Sequence, residues 1–214
     1  IAEQKAGIIK QGVPLVTGNI VPEALAVINQ IAKTKEAPRL VYGEDYQVSH
    51  QGSVRTGEVF DYTSPLRQGR FQTGLLGIHQ IENAGMAITL LDTYCQETGR
   101  ELASNNIVAQ ALAETSWPGR LEVVCREPLM ILDGAHNPHA IKALVETLQE
   151  RFADYHKEIL FTCIKTKALE YMLDLLETLP DTELTLTHFD DGRATDKEVL
   201  KKVAYSRNLN YKSW

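Results

Sequence analysis

The sequence predicts an α/β fold, and three features carry that prediction. From Leu129 onward, short apolar runs alternate with stretches of helical periodicity. A proline-glycine break at Pro118-Gly119 separates this stretch from the residues before it. The earlier part mixes helical patterns with a segment of scattered tyrosines and valines among turn residues. With 214 residues, 43% of them hydrophobic, the chain is long enough for one large domain or two modest ones, each with its own core.

Taken in order, Ile1 to Lys10 reads as a helix end or a helix-to-loop joint, and Val13 to Thr17 as a short apolar strand. Gly18-Asn19 forms a turn, with Asn19 as a candidate cap for the next helix. Pro22 lies in that helix's first turn, with Leu25, Ile28, Ile31 and Ala32 at helical spacing. Residues 39 to 76 read as several short strands. Helical spacing returns from Ile81 to Cys95, with Ala84, Ala87, Ile88 and Leu91 expected on one side. The small Ala84, Gly85 and Ala87 would admit a backbone or a flat ligand. A further helix is expected from Ser104, as cap, to Glu114.

Beyond the break, Leu129 to Leu132 reads as a buried strand ending in Asp133, and Pro138 to Phe152 as a helix. Strands at Ile159 to Cys163 and Leu184 to Phe189 then alternate with helices at Leu169 to Leu179 and Asp196 to Tyr205. That order implies parallel pairing with right-handed crossovers, half or more of a Rossmann-like sheet. The expected division is 1–119 and 120–214.

Composition removes several classes of function. The chain carries 22 basic and 28 acidic residues, a formal charge of -6, which argues against broad nucleic-acid binding. An anionic ligand would need a local site of a few basic groups and helix N-termini. No apolar run is long enough to span a membrane, and no signal peptide is visible. The three cysteines, Cys95, Cys125 and Cys163, lie far apart with no metal-binding spacing, and fit free thiols in the cytoplasm. His50, His139, His156 and His188 follow no pattern and read as structural or surface residues.

Asp133-Gly134-Ala135-His136-Asn137-Pro138 is the most informative stretch. A strand delivers an aspartate at its carboxyl end, a glycine permits a sharp turn, and Asn137-Pro138 opens a helix. In open parallel sheets, ligands bind outside the carboxyl ends of the strands. Asp133 and His136 are therefore expected to project into that crevice beside free helix N-terminal amides. The same residues also suit a turn and a cap with no ligand. His136 fits a hydrogen-bond donor to substrate or a proton carrier equally.

Four segments lie in one order: KAGIIK at Lys5–Lys10, GIHQIENA at Gly77–Ala84, WPGRLE at Trp117–Glu122 and LDGAHNP at Leu132–Pro138. Together they resemble the folylpolyglutamate synthase/dihydrofolate synthase group of the Mur ligase superfamily, over essentially the whole chain. The resemblance implies the end of a Mur-type central ATPase domain followed by a Rossmann-like C-terminal domain. It implies an ATP- and Mg²⁺-dependent ligase. That enzyme activates the terminal γ-carboxylate of a folate as an acyl phosphate and joins L-glutamate to it, releasing ADP and phosphate. It further implies a cytoplasmic monomer.

By that resemblance, Asn83, Arg120 and Asp133 contact ATP: Asn83 at the adenine edge, Arg120 at the phosphates, and Asp133 at the ribose or a bound water. Taken alone, Asn83 reads as a solvent-bonded helix amide, and Arg120 reads equally as a charged fork on a Pro-Gly hinge suited to phosphates and as a surface arginine over Trp117. His136 would sit near the reacting groups. Lys5 matches a lysine carbamylated in the family, a modification that makes an anion able to hold Mg²⁺ and needs a neutral amine. His79 and Gln80 share the Asn83 motif and read as helix N-terminal packing.

Lys165, Lys167 and Arg193 are candidate contacts for a polyanionic folate tail. Lys165-Thr166-Lys167-Ala168 stands where the family shows alternating lysine and aspartate, and it reads equally as a solvated loop. Gln4 replaces the usual glutamate. The chain contains no G-x-x-x-x-G-K-[ST] phosphate loop, which the family carries in its N-terminal domain. After the Asp196 helix the family continues through another strand, so a truncated C-terminal portion, inactive by itself, is expected. Two competing readings are a Mur-type ligase acting on a cell-wall precursor and a non-catalytic nucleotide module.

Overall fold

The computed structural model describes residues 1–165 and 168–212. They divide into two compact units, Ile1–Pro118 and a second that begins at Gly119.

In the first unit, α1 (Ala2–Ala6), β1 (Leu15–Thr17), α2 (Pro22–Thr34) and β2 (Arg39–Val41) form a small layer. β1 and β2 pair in parallel with Val16 opposite Leu40, and α2 makes the crossover. Ala6, Ile9, Ala32 and Ala37 are its buried core. Asn19 does not cap α2. The N-cap is Val21, in extended geometry because Pro22 occupies the first helical position. The Asn19 amide instead donates to Glu82 Oε1 at 3.1 Å.

β3 (Gln47–Val54), β4 (Gly57–Thr63) and β5 (Gln68–Thr73) make an antiparallel meander with β4 in the middle. Alternation along β4 turns Glu58, Phe60 and Tyr62 inward. They meet α3 (His79–Glu97) and α4 (Asn105–Glu114), where Phe60, Tyr62, Phe71, Ile81, Ile88 and Val108 form one core. Ser104 caps α4, its side chain accepting from Ile107 N–H at 3.4 Å.

The buried stripe of α3 is Ile81, Ala84, Gly85, Ile88, Thr89, Asp92 and Cys95, whereas Ala87 and Leu91 face solvent. The expected side of this helix is therefore rotated, because two of its inward residues are polar. Thr89 meets the Tyr62 hydroxyl at 2.9 Å. Asp92 takes a bidentate pair from the buried Arg67 at 2.8 and 2.7 Å. Arg67 also donates to Asn105 Oδ1 at 2.6 Å and to the Ala103 carbonyl at 2.7 Å, so it fastens the start of β5 to both helices. Hydrogen bonding to Asp92 raises the Arg67 pKa further. Gly85 does admit a close neighbour, but that neighbour is the sheet: a Cβ there would lie 2.5 Å from Val48 Cγ1.

The second unit contains β6 (Glu122–Arg126), β7 (Leu129–Leu132), α5 (Pro138–Arg151), β8 (Lys157–Phe161), α6 (Leu169–Leu176), β9 (Thr182–Leu186), α7 (Lys197–Ser206) and β10 (Asn210–Tyr211). Among the described residues, β8, β9 and β10 form a parallel sheet in the order β10-β9-β8. β10 is a strand beyond the last helix that the sequence reading had placed outside the chain.

β7 departs from expectation. It pairs antiparallel with β6, which the sequence reading missed, and its residues alternate between half-buried and exposed. A short apolar run does not distinguish a hairpin arm from a parallel strand. β8 and β9 both begin earlier than their apolar runs indicate. Lys157 opens β8 because its ammonium reaches the Tyr155 and Pro180 carbonyls at 2.8 and 3.2 Å, and it lies in register with Thr182.

Helices α5, α6 and α7 contribute Ile141, Val145, Met172, Leu173 and Leu200 to one core with Phe161, Leu184 and Leu186. No helix among the described residues is long and apolar enough to cross a membrane.

Candidate functional site

In the second unit the Gly119–Glu122 part of WPGRLE and the DGAHNP segment are stitched together by backbone amides. Gly119 N–H donates to Glu122 Oε2 at 2.9 Å, and the Gly119 carbonyl accepts from Gly134 N–H at 2.8 Å. Asp133 spans the junction, with Oδ2 accepting from Leu121 N–H and Oδ1 from Ala135 N–H, both at 2.8 Å. Leu121 is buried yet has φ 47°, a left-handed conformation that costs a branched residue about 1–2 kcal/mol. The Asp133 carboxylate offsets part of that cost.

The Asp133 carboxylate is thus committed on its inner side to its own loop, as a turn residue would be. Its remaining lone pairs face outward, since the residue as a whole is exposed. Arg120 meets this loop: a Cβ built on Gly134 would lie 3.8 Å from Arg120 Nη1. Arg120 is exposed, and among the described residues its guanidinium is not paired to a carboxylate.

His136 Nδ1 lies 2.8 Å from the Gly134 carbonyl. A carbonyl only accepts, so Nδ1 carries the proton and the neutral ring keeps its lone pair on Nε2. Asn137 acts as a cap, its Oδ1 accepting from Ala140 N–H at 3.0 Å ahead of α5. One of the helix N-terminal amides expected to be free is therefore already satisfied. Asp133 and Ala135 also line one end of a cavity of about 250 Å³ running past Ile131, Leu144 and Phe161.

Lys165 and Arg193 come together elsewhere in this unit. Lys165 N–H donates to the Arg193 carbonyl at 2.8 Å, and Lys165 Nζ approaches the Gly192 carbonyl at 3.4 Å. Arg193 pairs with Asp191 at 3.1 Å through Nε and Nη2. That contact lowers the Asp191 pKa and raises that of Arg193. The positive potential expected here is thus reduced. Lys167 lies outside the described residues.

In the first unit, Asn83 is exposed on α3, its amide donating to Gln80 Oε1 at 3.0 Å. Gln80 is buried, and its Nε2 meets His79 Nε2 at 3.0 Å. His79, Gln80 and Asn83 therefore form one side-chain chain at the start of α3. Lys5 is exposed in the last turn of α1. Among the described residues, no group of three or more His, Cys, Asp or Glu could hold a metal ion.

The sequence reading missed Glu58. It is fully buried, and its Oε1 accepts from Gly77 N–H at 2.8 Å, at the entry to the GIHQIENA motif. The signal was present: a glutamate sits at the same alternation phase as Phe60 and Tyr62, where a strand facing a core should carry apolar residues.

Residues 119–212 match the Mur ligase, glutamate ligase domain family. The chain is 33% identical over 215 residues to the dihydrofolate synthase/folylpolyglutamate synthase of Bacillus subtilis, an alignment that covers 100% of this chain and 49% of that relative. It superposes on the crystal structure of folylpolyglutamate synthase from Thermotoga maritima with TM-score 0.80 at 30% identity, covering 100% of this chain and 49% of that one. Folylpolyglutamate synthase of Mycobacterium tuberculosis, solved with ADP and AMPPCP, matches with TM-score 0.84 at 26% identity, covering 99% of this chain and 49% of that one. The chain thus spans about half the length of these relatives. Its residues 119–212 belong to the Mur ligase family through the glutamate ligase domain, and the chain as a whole is a homologue of the folylpolyglutamate synthases.

Proposed function

We propose that this chain forms part of an ATP-dependent ligase that extends tetrahydrofolate with L-glutamate through γ-glutamyl amide bonds. The observation that carries the reading is the junction in the second unit. There Asp133 and His136 are held in one hydrogen-bonded loop, with Arg120, which has no carboxylate partner among the described residues, alongside it. The homologues supply the reaction class, and a relative solved with an ATP analogue supplies the nucleotide.

In that class, the terminal phosphoryl group of ATP is transferred to the folate γ-carboxylate. The neutral amine of glutamate then attacks the acyl carbon, phosphate leaves and one proton is released. Activation is needed because a bare carboxylate is a poor electrophile. Arg120 is assigned to the phosphate oxygens, where a fixed, permanently charged fork stabilises charge during transfer. The outward lone pairs of Asp133 take a ribose hydroxyl or a water, and Asn83 reads the adenine edge. His136 Nε2 accepts a proton from the incoming ammonium. Lys165 attracts the anionic glutamate tail, whereas Arg193 contributes only after release from Asp191.

The described residues alone do not fit a magnesium site, and no step here depends on one. Carbamylation of Lys5 rests on the family resemblance. Intact mass should show an added CO₂ unit, and its absence at high bicarbonate would remove the assignment.

The test is ATP-dependent incorporation of labelled glutamate into tetrahydrofolate by the native polypeptide that contains this chain. Arg120→Ala should lower kcat/KM for ATP by about 10²–10³-fold without changing the melting temperature. Incorporation into a cell-wall precursor but not folate would replace the folate assignment. Nucleotide binding without any turnover would leave a non-catalytic module.

A further inference from the structure

We propose that Glu58 is a positioning residue for the nucleotide-contacting face of α3, acting through Gly77 on the Gln80–Asn83 pair. The inference rests on the assignment of Asn83 to nucleotide binding made above.

Glu58 is 0% exposed, on the β4 face that carries Phe60 and Tyr62. A carboxylate survives such burial only when hydrogen bonds replace its water. Here they come from two directions. Ser53 Oγ donates to Oε2 and His50 Nε2 lies 3.3 Å from the same oxygen, both from β3. Gly77 N–H donates to Oε1 at 2.8 Å from the loop before α3. The two oxygens therefore tie the β3–β4 hairpin to the helix entry. An apolar side chain would fill the same volume but could not bond both.

Gly77 has φ 101°, a backbone state that only glycine adopts readily. Its carbonyl accepts from Gln80 N–H at 2.8 Å, so fixing its amide fixes the first turn of the helix. Gln80 in turn accepts the Asn83 amide at 3.0 Å. The neighbouring Gly57 closes the same loop from its other end, where a Cβ would fall 1.7 Å from the Thr73 carbonyl oxygen. The exposed end of Asn83 is thus linked by three consecutive hydrogen bonds to a fully buried carboxyl group.

The experiment measures KM for ATP and KM for glutamate in the native polypeptide that contains this chain, with ATP binding by calorimetry. Glu58→Ala should raise ATP KM by about tenfold and leave glutamate KM within about twofold. Glu58→Gln, which retains an acceptor for Gly77 N–H, should restore ATP KM to within about threefold of wild type. In an Asn83→Ala background, Glu58→Ala should add less than about threefold, since the two act in series. If Glu58→Ala fails to fold, Ser53→Ala serves in its place, with an expected rise in ATP KM of about threefold and unchanged glutamate KM.

Equal rises in both KM values would mark Glu58 as merely structural and overturn the proposal, as would wild-type ATP affinity in Glu58→Ala or, failing that variant, in Ser53→Ala. Absence of ATP binding by wild type would instead remove the Asn83 assignment, and this inference with it.

Discussion

The two motif-bearing loops are held by opposite means. The loop entering α3 is anchored on a buried carboxylate, with the bidentate Arg67–Asp92 pair fastening the same helix further along. The Asp133 loop is held by an exposed aspartate that, among the described residues, bonds backbone amides of its own surroundings. A buried ion or ion pair over-determines its neighbours, because losing either partner leaves an uncompensated charge. An exposed carboxylate on amides can be replaced by water at modest cost. The first arrangement suits a surface that must be rigid before a ligand arrives. The second suits a junction whose backbone adjusts.

The largest expected effect tests the rigid side. Asp92→Ala leaves Arg67 buried without its partner and should cost the first unit about 3–5 kcal/mol. Hydrogen exchange should register the loss across α3 and β5 while leaving β8 and β9 protected. Uniform deprotection of both units would collapse the contrast.

On the other side, Asp133→Ala should cost about 1–2 kcal/mol, seen as faster exchange at Leu121 and Ala135. A loss as large as that of Asp92→Ala would mean that the exposed loop is no softer than the buried one.

The helix caps sharpen the comparison. Ser104 and Asn137 cap α4 and α5 by the same device, so alanine at either should cost about 1 kcal/mol. Similar penalties, read from denaturant midpoints, would show that the loops differ in their anchors and not in the helices they feed.

The smallest effect concerns pH. Asp181 accepts from His156 at 2.9 Å and raises its pKa above the usual histidine value. The pair therefore contributes below the ordinary histidine pKa, and its contribution is lost as pH rises through the raised one. NMR titration should place His156 above an unperturbed histidine and return it toward that value in Asp181→Asn.

Much of this was legible from residue order alone. The strand-rich middle, the Ser104 cap and the alternation of β8, α6, β9 and α7 follow from local chemistry and hydrophobic period. The side of α3 that is buried was not. Period analysis assigns polar residues to solvent, whereas Thr89 and Asp92 are inward because Tyr62 and Arg67, distant in sequence, satisfy them. Asn19 was misread for a related reason: a competent cap does not cap when the following proline starts the helix beyond its reach.

The site divides along the same line. Asp133 and His136 were singled out by their place at the end of a strand and Arg120 by the family resemblance alone, whereas the lock of Asp133 on Leu121 and the tautomer of His136 come from through-space contacts. Residue order determined the alternation of elements, the chemical identity of the motif residues and their family, because helical period, turn chemistry and side-chain type are local properties. Tertiary structure alone decided that β7 joins a hairpin, that Glu58 is buried beneath the GIHQIENA turn, and which face of α3 meets the sheet. Those outcomes depend on which distant groups supply the hydrogen bonds that replace water, and a linear pattern does not encode the identity of the partner.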